Sequence, residues 1–287
     1  MRLRVLTALV LMPPVLYLIL RAPEWLFMAA LLAVVLRTAF EYFEISRTCG
    51  LGAFRWLGYT CCVALCFAQW ADVHWFNRSA PNGSAILILA SLTIPLALTV
   101  LLVWTRDLHD YLGAASITLF GIFYVGLLLS WLVPLRFPSV AIAQAAAPAM
   151  PPGQILLFLF LVNWAGDIFA YFVGKGIGRV LLFPHISPKK TLEGSLGGLA
   201  GSLLVAWALT RWWKTSDLKT AMLLAGLVAI AGQAGDLVES ALKRSADRKD
   251  SASLLPGHGG LLDRVDSLIL SAPVLWAALV VKGLLAR

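Results

Sequence analysis

The chain has 287 residues, 60% of them hydrophobic and 13% charged, with a mean hydropathy of +0.84. Soluble domains carry about 25% charged residues, so this chain has too little polar surface to face water, and lipid must be the solvent for most of it. The net charge of +8 could suit nucleic acid, but Lys and Arg sit in short connections between apolar runs, and no basic stripe with a nucleic-acid module appears. Nucleic acid is not an expected partner.

Taken in chain order, apolar stretches fall near 5–20, 25–40, 56–70, 85–104, 112–134, 154–173, 195–213, 220–235 and 266–284. This predicts an all-α, polytopic membrane bundle of about nine transmembrane helices. The first stretch follows Arg2 and Arg4, as a signal peptide would, but is expected to be a retained span because no small-residue cleavage site follows it. Pro13-Pro14 and the tight turn at 21–24 predict a kinked or shallow first pair. Cys61, Cys62 and Cys66 lie inside the third stretch, without the spacing of a redox or zinc site. The Ala/Pro-rich connection at 135–153 is expected to be an irregular spacer. With alternating spans and the N-terminus inside, 15 Lys and Arg fall on the inner side and 8 on the outer. That asymmetry favours N-in, C-out. The expected organisation is a single membrane domain over 1–287, with N-terminal helices in 1–110, reactive helices in 154–284, and cytoplasmic loops at 174–194 and 237–265.

Two polar segments interrupt the apolar pattern. The first runs from Asn163 to Gly198 and contains Asp167, Lys175, Ser187, Lys189, Lys190, Thr191 and Glu193. The second runs from Gly235 to Asp266 and gathers Asp236, Glu239, Asp247, Asp250, Asp263 and Asp266 with Lys243, Arg244, Arg248, Lys249 and Arg264. Two spans separate the segments, so both are expected on one side of the membrane. Carboxylates are hard oxygen ligands suited to Mg²⁺, and interleaved Lys and Arg suit phosphate oxygens. On a helix, Asp236, Ser240, Lys243 and Asp247 would share one face. A solvated charge run is the plain alternative, but Asp236 ends an apolar run and Asp263 and Asp266 open another, and ionisable groups at membrane depth are costly and usually functional. Pro256-Gly257-His258-Gly259-Gly260 can bring backbone N–H groups to an anion. The glycines of 174–178 match neither a Walker loop nor a dinucleotide fingerprint; they are expected to shape the exit from a span. No Ser or Cys nucleophile with a paired His and carboxylate is evident. Phosphoryl chemistry does not require one, since positioning and charge neutralisation carry it.

The run Ser240-x-Leu242-Lys243-Arg244-x4-Lys249-Asp250-x-Ala252-x2-Leu255-Pro256-x-His258-Gly259-Gly260-Leu261-x-Asp263-Arg264-Val265-Asp266 resembles the signature of the phosphatidate cytidylyltransferases, or CDP-diacylglycerol synthases. Ser187-Pro188-Lys189-Lys190-Thr191-x-Glu193-Gly194 and Asp167-x2-Ala170-Tyr171 resemble two further family motifs. Arg248 stands where the family pattern leads us to expect an apolar residue. The resemblance is strongest over 160–270. It implies transfer of CMP from CTP to phosphatidate with Mg²⁺, a second, monovalent cation being left open. It also implies residue roles. Asp236, Asp263 and then Asp266 would be metal ligands, and Asp236, Asp263 and Lys249 the catalytic set. Lys243, Arg244, Lys249, Lys189, Lys190 and Arg264 would hold phosphates, while Ser187, Thr191, Asp250 and His258 would orient substrate. The partners implied are CTP, phosphatidate and membrane lipid, with a homodimer left open, in a bacterial inner (cytoplasmic) membrane with the site facing the cytoplasm. A CTP-dependent lipid kinase, such as a polyprenol or phytol kinase, is the runner-up. A transporter is the reading from another class, though it would spread polar residues through mid-span positions rather than gather them at one face.

Overall fold

The structure is a computed structural model, and it describes residues 2–50, 52–76, 96–103, 108–146, 149–151, 153–215, 217–248, 251–252 and 259–285. Helices α1 (Arg2–Leu20), α2 (Glu24–Thr48), α3 (Arg55–Ala71), α4 (Leu108–Gly121), α5 (Ile155–Ile177), α6 (Leu192–Trp212), α7 (Leu218–Ser245) and α8 (Leu262–Leu285) account for most of these residues. Shorter helices at Leu128–Ser130, Leu132–Arg136 and Val140–Ala146, π-type turns at Asp72–Phe76 and Ile122–Leu127, and a helical segment at 96–103 complete the helical residues. The sole sheet among the described residues is a hairpin of β1 (Leu181–Phe183) and β2 (Ser187–Thr191). The strands are antiparallel, with Leu181 opposite Thr191 and Phe183 opposite Ser187, and an irregularity between them.

Six helices among the described residues are long and apolar enough to cross a membrane: Glu24–Thr48, His109–Arg136, Ile155–Ile177, Leu192–Trp212, Leu218–Ser245 and Leu262–Leu285. They correspond to six of the nine expected stretches. Of the rest, 5–20 and 56–70 are helical, as α1 and α3, but are not among the six. Helix α3 has 17 residues, at the short end of the range for a span. Most of 85–104 lies outside the described residues. The lipid-facing surface follows from composition: Ile168, Phe169, Tyr171 and Phe172 are all exposed along α5, a contiguous apolar face of a kind that water-soluble monomers rarely show.

Several boundaries differ from the expectation because helices run past the hydrocarbon wherever backbone hydrogen bonding can continue. The loop expected at 237–265 is helical as far as Ser245 and helical again from Leu262. Asp247 therefore does not continue the face of Asp236, Ser240 and Lys243; it lies beyond the helix with φ 53°. Likewise, 174–194 comprises the last turn of α5, the hairpin and the first turn of α6. Ala-rich 140–146 is helical, as the high helix propensity of alanine favours, and Ala146, Ala149 and Met150 are fully buried. The expected irregular spacer is thus partly an ordered, packed element.

The chain divides into two compact units, one comprising Met1–Pro134 with Leu242–Arg264, the other Leu135–Ala241 with Val265–Arg287. In the first, Tyr42 on α2 donates to the Ile117 carbonyl at 2.9 Å, and Phe43 meets Tyr59 edge-on at 5.6 Å. In the second, polar side chains tie helices together inside the apolar layer, where no water competes. Asn163 donates to Ser271 Oγ at 3.0 Å, and Ser202 donates to the Val162 carbonyl at 2.8 Å.

Asp217 caps α7, its Oδ1 accepting from Thr220 N at 3.0 Å while Oδ2 pairs with Lys282 at 3.0 Å. Burial pushes this carboxyl up, but the hydrogen bonds from Thr220 and the Lys282 ammonium outweigh burial and hold it below the ordinary carboxylate value. A depressed carboxylate stabilises the fold above its unfolded-state pKa of about 3.9, and that contribution is lost as pH falls through the lower folded value. Asp217→Ala is expected to lower stability by about 1 kcal/mol at neutral pH, with the gap to wild type closing below about pH 4. Thermal unfolding in detergent at both pH values measures this; an equal gap at the two would show that the charge contributes nothing.

Candidate functional site

Within the second unit, α5, α6, α7 and the hairpin enclose a cavity of about 630 Å³, lined by Asp167, Lys175, Lys189, Lys190, Thr191 and Asp236 among others. Each element delivers its residues for a local reason. Helix α5 ends at Gly178, and Glu193 accepts from the Arg179 and Val180 amides at 3.1 and 3.2 Å, turning the chain into the hairpin. The hairpin carries Ser187, Lys189 and Lys190 on β2. Thr191 then caps α6 by accepting from Gly194 N at 3.1 Å. Of the first-segment residues expected to bind substrate, Lys189, Lys190 and Thr191 line this cavity. Ser187 sits half-buried on β2 and is not among its lining residues.

Lys190 Nζ lies 2.6 Å from Asp236 Oδ2, with both side chains about a third exposed. Ser240, one turn further along α7, donates to the other Asp236 oxygen at 3.4 Å. Asp236, Glu239 and Asp266 each offer a carboxylate oxygen, and these oxygens lie within 4.8 Å of one another. Gly235 makes the grouping possible. A Cβ there would run into the Asp266 carbonyl, so glycine lets α7 approach α8 closely. Three hard oxygen donors in this arrangement have the chemistry of a Mg²⁺ or Ca²⁺ ligand set. Asp236 and Asp266 were expected as ligands; Glu239, fully buried on α7, was not. Ser195 and Gln233, which also line the cavity, are joined by hydrogen bonds in both directions, one from Gln233 Nε2 to the Ser195 carbonyl at 3.0 Å.

Within the first unit, Lys243 Nζ lies 2.6 Å from Asp263 Oδ1, and both side chains are nearly buried. Asp263 Oδ2 accepts from Ser251 N at 3.1 Å and Gly260 N at 2.8 Å, and lies 2.8 Å from Ser251 Oγ. Both aspartates thus already meet a cation, Asp236 with Lys190 and Asp263 with Lys243. Removing one member of such a nearly buried pair costs about 3–5 kcal/mol, mostly by stranding the other charge, so Lys243 and Asp263 hold each other in place. Arg244 is exposed and donates to the Arg248 carbonyl at 3.2 Å. Arg264 is exposed at the start of α8. Lys249, Asp250 and His258 lie outside the described residues.

The structure thus defines a polytopic membrane protein with Lys and Asp gathered where a phosphorylated ligand could be held. The sequence model of the cytidylyltransferase family matches residues 2–282, and the chain belongs to that family. It is 35% identical over 272 residues to a Synechocystis protein named phosphatidate cytidylyltransferase, covering 88% of this chain and 87% of that one. It is 32% identical over 281 residues to the chloroplastic phosphatidate cytidylyltransferase 5 of Arabidopsis thaliana, covering 91% and 68%. A shorter match to the phosphatidate cytidylyltransferase of Bacillus subtilis reaches 44% identity over 125 residues, 42% of this chain and 45% of that one.

Proposed function

We propose that this protein transfers CMP from CTP to phosphatidate, giving CDP-diacylglycerol and pyrophosphate for phospholipid synthesis. The observation that carries the reading is the match of nearly the whole chain to the cytidylyltransferase family, with relatives named for this reaction. In the reaction a phosphatidate oxygen attacks the α-phosphorus of CTP, the bond to the β-phosphate bridging oxygen breaks, and pyrophosphate leaves. The chemistry needs in-line positioning and charge neutralisation more than a protein nucleophile. Lys189 and Lys190 line the cavity and would hold phosphate oxygens; Lys243, Arg244, Lys249 and Arg264, the cations of the long signature, would do the same. Ser187, Thr191, Asp250 and His258 complete the proposed substrate contacts. Asp236, Asp266 and Glu239 would hold Mg²⁺, which when bound neutralises phosphate charge and favours departure of pyrophosphate. Asp263 remains a proposed ligand as well, alongside its grip on Lys243.

Lys190→Ala is expected to cut turnover by about tenfold or more through lost phosphate binding. Asp236→Asn or EDTA is expected to abolish CDP-diacylglycerol formation by detergent-purified protein. Undiminished turnover in both variants would make these residues merely structural. A Mg²⁺ titration of Asp263→Asn separates its two roles, since a ligand shifts the requirement and a Lys243 partner alone does not.

We also propose an N-in, C-out orientation with nine crossings, in an inner (cytoplasmic) membrane, which puts residues 174–194 and 237–265 on the cytoplasmic side with CTP. The uneven distribution of Lys and Arg supports it. In a Cys49→Ser background, Ser245→Cys should resist an impermeant thiol reagent in intact cells and Lys214→Cys should react. The reverse pattern would invert the topology.

A further inference from the structure

Glu41 on α2 has no part in the reading above, yet its side chain is completely buried. A buried carboxylate costs several kcal/mol unless its lone pairs are filled, and here they are. Oε1 accepts from Leu261 N at 3.0 Å and lies 3.2 Å from Arg37 Nε. Oε2 accepts from Leu262 N at 2.9 Å and lies 2.8 Å from Ser251 Oγ, whose one proton serves either this carboxylate or that of Asp263. Leu261 and Leu262 open α8, whose free amides a local Ser, Thr or Asp would normally cap. The chain offers Gly259, Gly260 and Leu261 there, so a carboxylate more than two hundred residues away supplies the cap.

The same hydroxyl links Glu41 to the proposed site. Ser251 Oγ lies 2.8 Å from Glu41 Oε2 and 2.8 Å from Asp263 Oδ2, and Asp263 in turn holds Lys243. Glu41 and Asp263 therefore grip the chain at Ser251 and again at Gly260–Leu262. Gly260 fits this arrangement for a physical reason: a Cβ there would run into both Ser251 Oγ and Glu41 Oε2. A buried ion group is a poor source of stability compared with an apolar side chain of similar volume. What this carboxylate supplies, and an apolar residue could not, is one fixed geometry for two backbone amides and a hydroxyl.

We propose that Glu41 is a positioning residue for the transfer reaction: it ties Ser251 and the start of α8 to α2, and through them sets Asp263 and Lys243, without itself touching substrate. The inference rests on Asp263 and Lys243 belonging to the site proposed above. A misplacement of about 1 Å in catalytic groups costs on the order of a hundredfold in rate.

The test compares wild type with Glu41→Gln, Glu41→Asp, Ser251→Ala and the Glu41→Gln/Ser251→Ala double variant, each isolated as folded protein by size exclusion. Turnover by Glu41→Gln is expected to fall by about tenfold to a hundredfold, with little change in the KM for CTP. Glu41→Asp, which keeps the charge on a shorter stem, should fall between. The double variant should be little worse than the worse single one, because both changes cut one linkage. Wild-type turnover in folded Glu41→Gln overturns the proposal, as do additive losses. If Glu41→Gln yields no folded protein, wild-type turnover by Glu41→Asp overturns it instead. Wild type that makes no CDP-diacylglycerol would refute the proposed function. The latch is then decided by amide hydrogen exchange at Ser251, Gly260 and Leu262, expected to quicken by about tenfold in the Glu41 variants; unchanged exchange would refute it.

Discussion

An ionised side chain at the edge of a hydrocarbon layer must have a partner, and the ordered polar parts of this protein are arranged around that requirement. An unpaired charge there costs several kcal/mol, a large share of a stability that for a folded domain is about 5–15 kcal/mol. Asp236 meets Lys190, Asp263 meets Lys243, and Glu41 meets Arg37 and two backbone amides. Apart from the Arg37–Glu41 pair, which lies within one helix, these contacts join residues 20 or more positions apart, so satisfying the charges also folds the polar segments onto the helices.

That pairing has a consequence for the proposed chemistry. The two lysines rest against carboxylates, and they are the kind of group that a phosphate also attracts. The Lys190–Asp236 pair is about a third exposed; such a pair is worth about 0–1 kcal/mol, so an incoming phosphate can exchange for the carboxylate at little cost. The Lys243–Asp263 pair is nearly buried and additionally fastened through Ser251 and Gly260. It is suited to holding a geometry rather than to exchanging partners. In the proposed reaction, the first pair yields to substrate and the second keeps its place.

Hydropathy made much of this legible from the sequence. The six spans at 25–40, 112–134, 154–173, 195–213, 220–235 and 266–284 all emerge as long helices, because an uninterrupted apolar run of that length has few alternatives in lipid. Their ends were less legible: α7 carries its polar residues Asp236 to Ser245 on continuing helix, where charge content had suggested a loop. The hairpin was hidden because its strands are short and β2 is rich in lysine. Glu41 was missed although the rule that exposed Asp236 applies to it equally. It stands between Phe40 and Tyr42-Phe43, but its partners at 251, 261 and 262 are too far along the chain for spacing to reveal. Glu239 stood in view among the second-segment carboxylates, and only its burial beside Asp236 and Asp266 distinguishes it.

The central claim is that these charges serve attack on the α-phosphorus of CTP and not transfer of its γ-phosphate. The most direct measurement supplies purified protein with Mg²⁺, phosphatidate and CTP carrying distinguishable labels on the α- and γ-phosphates, and follows both into lipid and water-soluble products. The account predicts the α label in lipid as CDP-diacylglycerol and the γ label in pyrophosphate. A γ label in lipid, with the α label remaining in CDP, would contradict it.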